Sequence, residues 1–167
     1  GSPEPKLIGG FNTSFAWKGF SASAFFEFKA GNKVFLVNEW SYLNSDGSEM
    51  SMNQMASPNN YWKKPGDTGG QPKPVAGQSV SNDAILSTRW LADGSYLRVK
   101  DITVSYSLQE RALKKLKVKG LKFYVSGLNL YCFNDVNFWD PEQGITGLTA
   151  GTYPLTKSVV GGIELSF

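Results

Sequence analysis

From Asp101 to Leu108 the chain alternates without a break, with Ile102, Val104, Tyr106 and Leu108 apolar and Asp101, Thr103, Ser105 and Ser107 polar. A period of two is that of a β-strand, whose successive side chains leave on opposite faces. The same alternation recurs in four other segments and confines the chain to antiparallel sheet with one apolar and one polar face. Gly9 to Trp17 sets Phe11, Thr13, Phe15 and Trp17 against Asn12, Ser14 and Ala16. Phe20 to Lys29 sets Phe20, Ala22, Ala24, Phe26 and Phe28 against Ser21, Ser23 and Glu27, with Phe25 out of phase. The segment around Asp101 extends from Ser95 to Leu108, and Gly120 to Phe133 sets Leu121, Phe123 and Val125 against Lys122, Tyr124 and Ser126. From Lys157 onward, Val159, Gly161, Ile163, Leu165 and Phe167 alternate with Ser158, Val160, Gly162, Glu164 and Ser166.

The connections between these strands alternate in size. Lys18-Gly19 is a two-residue turn in which glycine supplies a positive φ, and roughly 11 residues follow the third strand. By contrast, about 65 residues follow the second strand and about 23 follow the fourth, in loops spanning 30–94 and 134–156. Gly, Pro, Ser, Asn and Asp crowd the first loop, with short helical turns expected near Met50 to Ala56 and Asp83 to Trp90, and another from Leu108 to Leu116. So long a connection counts against a compact soluble domain, whereas short turns on one side and long loops on the other are the topology of bacterial outer-membrane barrels. Strands of about 9 to 14 residues also match the 9–11 needed to cross a bilayer at a tilt. The competing reading is a soluble antiparallel sandwich whose apolar face covers a core.

Composition narrows the chemistry more than the fold. A hydrophobic content of 41% and a mean hydropathy of -0.26 suit soluble chains and alternating barrel strands alike. No apolar run approaches the roughly 18 residues of a spanning helix, so contact with lipid would be made by strands. The chain has no histidine and one cysteine, Cys132, which excludes Ser-His-Asp and Cys-His catalysis, an intrachain disulfide and multi-cysteine zinc sites. Asp140 and Glu142 in one short loop, or Asp93 and Asp101 near a strand, invite a glycosidase reading, but Asp140 and Glu142 flank Pro141 and a turn role is the simpler account. Asp46, Glu49, Asp67 and Asp83 lack calcium-loop spacing, and no phosphate-cradling glycine loop is present, so no cofactor, no metal and no enzyme is expected. The lysines at 114, 115, 117 and 119 have no second basic patch beside them and read as a solvated turn, not a nucleic-acid site. Gly161-Gly162 inside a strand implies curvature or close approach. Gly1-Ser2, without a methionine or leader, reads as an added scar or an internal cut, and the chain as a piece of a longer one.

Ordered blocks along nearly the whole chain then resemble the SusC-like (RagA-like) TonB-dependent transporters of the Bacteroidota outer membrane. They are Ile8-Gly9-Gly10-Phe11-Asn12-Thr13-Ser14-Phe15 with Lys18-Gly19-Phe20, and Tyr61-Trp62-Lys63-Lys64-Pro65-Gly66-Asp67. Asp93-Gly94-Ser95-Tyr96-Leu97-Arg98-Val99-Lys100-Asp101 running on to Tyr106 follows, then Val125-Ser126-Gly127-Leu128-Asn129-Leu130, Trp139-Asp140-Pro141-Glu142 and the closing Glu164-Leu165-Ser166-Phe167. The resemblance implies an all-β fold, about five antiparallel strands at the C-terminal end of a 22-stranded transmembrane barrel, with one long and one medium extracellular loop. It implies a transport protein of the outer membrane that imports glycans or other large nutrients such as peptides. The implied partners are a SusD-like surface lipoprotein, the TonB complex reached through an N-terminal part not included here, the barrel-assembly machinery and outer-membrane lipid. The alternative remains a soluble carbohydrate-binding or adhesive β-domain.

Three sets of residues carry the functional expectations. Ile163, Leu165 and Phe167 resemble the terminal signal read during barrel assembly. Phe11, Trp17, Phe28, Tyr106 and Phe133, near strand ends, suit an interfacial aromatic girdle. Loop aromatics Trp40, Tyr42, Tyr61, Trp62, Trp139 and Tyr153 suit stacking on a substrate or contact with a lid protein, or else anchor the loops against each other. With two open edges and a bare apolar face, the isolated chain is expected to self-associate.

Overall fold

The computed structural model describes residues 1–37, 62–68, 87–108, 118–136, 139–142, 146–149 and 153–167. Five long strands form one antiparallel sheet: β1 (Leu7–Trp17), β2 (Phe20–Ala30), β5 (Tyr96–Ser107), β6 (Gly120–Asn134) and β7 (Ser158–Ser166), in the order β1-β2-β5-β6-β7. Two short strands, β3 (Lys33–Phe35) and β4 (Leu91–Asp93), pair with each other. The bounds of each long strand lie within two residues of those of the alternating segment that foretold it, β1, β2 and β6 running slightly longer and β5 and β7 slightly shorter.

The β1–β2 hairpin closes through Lys18 and Gly19, both at positive φ (46° and 90°), the pair of conformations that matches the twist of the flanking strands. Between β5 and β6 the pairing slips: Val99 faces Tyr131 while Asp101 faces Leu128, leaving Lys100 unpaired on one strand and Asn129 at φ 51° on the other. This irregularity swings the register so that Val99 and Ile102 both lie on the apolar side. Gly162 allows a close approach, since a Cβ there would sit 2.5 Å from the Tyr124 ring that lies over it.

Both long connections, 31–95 and 135–157, leave the same end of the sheet, and the connections 18–19 and 108–119 leave the other. At the loop end the two long connections are tied together. Val34, Leu36 and Val136 form a small buried cluster backed by Ala92 and Trp139, and Phe35 bridges Leu148. The Phe35 carbonyl accepts the Thr149 N–H at 3.2 Å, and the Leu36 N–H donates to the Trp90 carbonyl at 2.9 Å. Among its described residues the stretch expected to be a long loop therefore contains a two-stranded ribbon and a 3-10 turn, Thr88–Trp90, the latter inside the second helical segment expected. The helical turns expected at Met50–Ala56 and Leu108–Leu116 lie outside the described residues, Leu108 apart. Apart from this satellite cluster, the described residues contain no layer packed against either face of the five-stranded sheet.

Candidate functional site

The sheet is itself the candidate site, because its two faces differ in chemistry and the described residues lay no second layer over the apolar one. Cross-strand registers build the apolar face in rows: Trp17–Phe20–Tyr106–Phe123–Ile163, then Phe15–Ala22–Val104–Val125–Gly161, then Thr13–Ala24–Ile102–Gly127–Val159. Towards the loop end follow Phe11–Phe26–Val99–Tyr131 and Gly9–Phe28–Leu97–Phe133. In β2 and β6 aromatic rings thus stand near both strand ends with small or aliphatic residues between them. Phe20 and Phe28 are about 26 Å apart along the strand, or about 20 Å once tilt is removed, the scale of an apolar band about 25 Å tall. Phe11 stacks on Phe26 at 4.6 Å, and Tyr131 meets Phe133 edge-on at 4.6 Å. A water-soluble chain buries such rings, yet Phe15, Trp17, Val125, Val159 and Ile163 are all more than half exposed here. A shallow open groove of about 490 Å³ runs over this face between Phe20, Val104, Phe123 and Ile163.

The opposite face is hydroxylic at mid-strand. Ser21 and Ser105 hydroxyls share a hydrogen bond of 2.7 Å, Thr103 and Ser126 one of 2.5 Å, and Thr103 donates to Asp101 at 3.1 Å. Paired hydroxyls satisfy one another across the strands, with the Asp101 carboxylate at the loop-side end of the strip.

Nearer the loop end the polar face becomes charged. Arg98 projects from β5 among Glu27 of β2, Lys100 of the bulge and the Asp140-Pro141-Glu142 turn. One guanidinium nitrogen donates to Asp140, and Nε stands 3.2 Å from Glu142 without hydrogen-bond geometry. Lys100 reaches Glu142 at 3.0 Å and Glu27 at 3.3 Å, while the Tyr96 hydroxyl donates to Glu27 at 2.9 Å. The Arg98 side chain is 4% exposed, on a face where an unpaired guanidinium would be hydrated. The cluster joins the blocks around Arg98 and Trp139 through Arg98 and Asp140, which lie 42 residues apart. Sequence reading took Asp140 and Glu142 as a turn and passed over Arg98, Lys100 and Glu27. The available signal was the pair of like charges at i and i+2 on the polar phase of β5, which a two-sided strand in plain water does not need.

Of the loop aromatics, Trp139 is half-buried against the Val34, Leu36 and Val136 cluster with its indole N–H unpaired, Trp62 is exposed, and Tyr153 is 86% exposed. Trp40, Tyr42 and Tyr61 lie outside the described residues. The structure brings none of the three described ones together. Ile163 and Leu165 lie on the apolar face of β7, an edge strand, with Phe167 exposed just beyond it. Among the described residues no group of three or more metal-ligating side chains converges, and no helix is long and apolar enough to cross a membrane, which says nothing of crossing by strands.

No family model matches the chain. It is 27% identical over its whole length to each of two proteins of Formosa agariphila, TonB-dependent receptor P3 and TonB-dependent receptor P26, and spans 17% of either. Its fold matches that of the solved RagAB peptide transporter with a TM-score of 0.82 and 29% identity, over 99% of this chain and 18% of that one. The same importer in its open-open state gives 0.81 and 28%. The chain is therefore similar, end to end, to one stretch of SusC-like TonB-dependent receptors, and its all-β antiparallel sheet matches a section of a barrel protein of that kind. These relatives are outer-membrane receptors and transporters, not enzymes. The chain spans about a sixth of their length.

Proposed function

We propose that this chain forms about five strands of the wall of a TonB-dependent importer of large nutrients in the outer membrane, with its apolar face on lipid and its hydroxylic face on the lumen. The observation that carries the reading is the bare apolar face, ringed near its strand ends by aromatics, opposite a polar face on which the described residues set only the turn at Asp140–Glu142. A soluble binding domain would need a second layer over those rings, and the described residues supply none.

In the finer reading the loops at 30–94 and 134–156 lie outside the cell and help to close over substrate beneath a SusD-like lipoprotein, and energy arrives through TonB. Likeness to a peptide importer supports peptides beside glycans as cargo. Exposed Tyr153 and Trp62 are the described aromatics available for contact with cargo or lid.

The test is made in the full-length receptor. Val104→Arg and Ile163→Arg are expected to lower barrel stability by roughly 2–4 kcal/mol near the bilayer midplane, while Thr103→Arg on the opposite face is mild. The same variants are scored for uptake of a labelled oligopeptide and a labelled oligosaccharide, with Thr103→Arg altering uptake and not assembly. Equal tolerance on both faces would sink the wall reading.

A further inference from the structure

We infer that Arg98 is a positioning residue, the anchor of an electrostatic clamp that holds the Asp140-Pro141-Glu142 turn, and the loop through it, against the inner face of the wall. The inference rests on the reading of the polar face as the lumen.

Strand alternation sends Arg98 to the polar face, while Leu97 and Val99 go to the apolar one. On an open face its guanidinium would be hydrated. Instead Asp140-Pro141-Glu142 covers it, and Pro141 is buried in the process. The turn is preorganised for this, since the Asp140 carboxylate accepts the Glu142 N–H at 2.9 Å and so holds the two carboxylates side by side. A planar guanidinium can meet such a fork with several donors at once, which an ammonium cannot.

Lys100 completes the clamp from the bulge. It ties Glu142 of the loop to Glu27 of the neighbouring strand, and Tyr96 holds Glu27 from the other side. Two cations thus face three carboxylates, all mutually engaged, drawn from two adjacent strands and one loop. Removing Arg98 would take away the buried cation that Asp140 and Glu142 share and leave Lys100 on Glu142, and like charges in one small site repel. The loop would then leave the wall at this turn, while its ties to β3, through the Val136 cluster and through Gly147, Leu148 and Thr149 against Phe35, lie outside the clamp. A loop so fastened travels with the wall and narrows the lumen mouth on this side at all times.

The experiment uses the full-length receptor in detergent, with Cys132→Ser and a spin label on a cysteine placed at exposed Thr146 (Thr146→Cys). The parent should give an immobilised spectrum. Arg98→Ala should raise the mobile fraction severalfold, Arg98→Lys less, and exchange of the charges by Arg98→Asp with Asp140→Arg should restore immobilisation. If Arg98→Ala does not assemble, Asp140→Asn with Glu142→Gln tests the same contact from the loop side and leaves the wall unaltered. Unchanged mobility in assembled Arg98→Ala, or in the loop-side pair, overturns the clamp. The spectrum is read without transport, so failure of the importer reading would show separately, in the face-specific substitutions and the uptake assay.

Discussion

Asp93 shows how strongly single side chains are committed at the loop end. Hydrogen bonds from the Ser95 side chain and from its backbone N–H at 2.9 Å, then the Lys33 ammonium at 3.0 Å, hold the Asp93 carboxyl down at about 2, against an ordinary 3.8. The folded value lies below the unfolded one, so this stabilising contribution is complete above about pH 4 and fades as pH falls from 3.8 toward 2. A carboxyl-carbon titration of the receptor should place the Asp93 midpoint near 2, moving up toward 3.8 in Ser95→Ala; a midpoint near 4 in the unaltered chain would contradict the assignment. Both partners lie on the short ribbon β3–β4, so the group reports on loop order rather than on the barrel wall. None of this was legible in the sequence. Lys33 and Asp93 are 60 positions apart, and their meeting depends on a ribbon too short to leave a periodic signal.

At the scale of elements the alternating pattern was a dependable guide, because a strand with two different environments on its faces must repeat every two residues. Phe25 broke the rule in sequence, and in the sheet it lies on the polar face opposite Asn12 and Asp101. The hairpin turn was also legible, yet only half of it: Gly19 was expected at positive φ, and Lys18 takes a positive φ as well. A side chain at 19 would be strained and would also meet the Ser107 carbonyl oxygen, with its Cβ 2.5 Å away. Gly19→Ala should therefore destabilise the β1–β2 hairpin by about 1–2 kcal/mol, seen as a lower midpoint in urea unfolding of the receptor in micelles. No change in midpoint would mean that the turn rearranges freely. The bulge at Lys100 was not foreseen, since one extra residue in a strand resembles ordinary noise in an alternating pattern, and only pairing on both sides reveals it.

For the whole molecule the controlling fact is that the described residues leave the apolar face exposed. In water that face and the outer edges of β1 and β7 invite association, so the isolated chain should run in detergent-free light scattering as large, polydisperse species, and a monodisperse 18.3 kDa monomer would require a different fold. The sequence by itself determined the strands, their two-faced character and the sides from which turns and loops leave, because each follows from local periodicity and connection length. It also excluded histidine-based chemistry by composition alone. What the tertiary structure decided were the long-range meetings: Arg98 and Lys100 with Asp140 and Glu142, the shared cluster under Val34 and Val136, and Tyr124 over Gly162. Those depend on which strands become neighbours and in which register, and a period of two, being the same in every strand, carries no information about either.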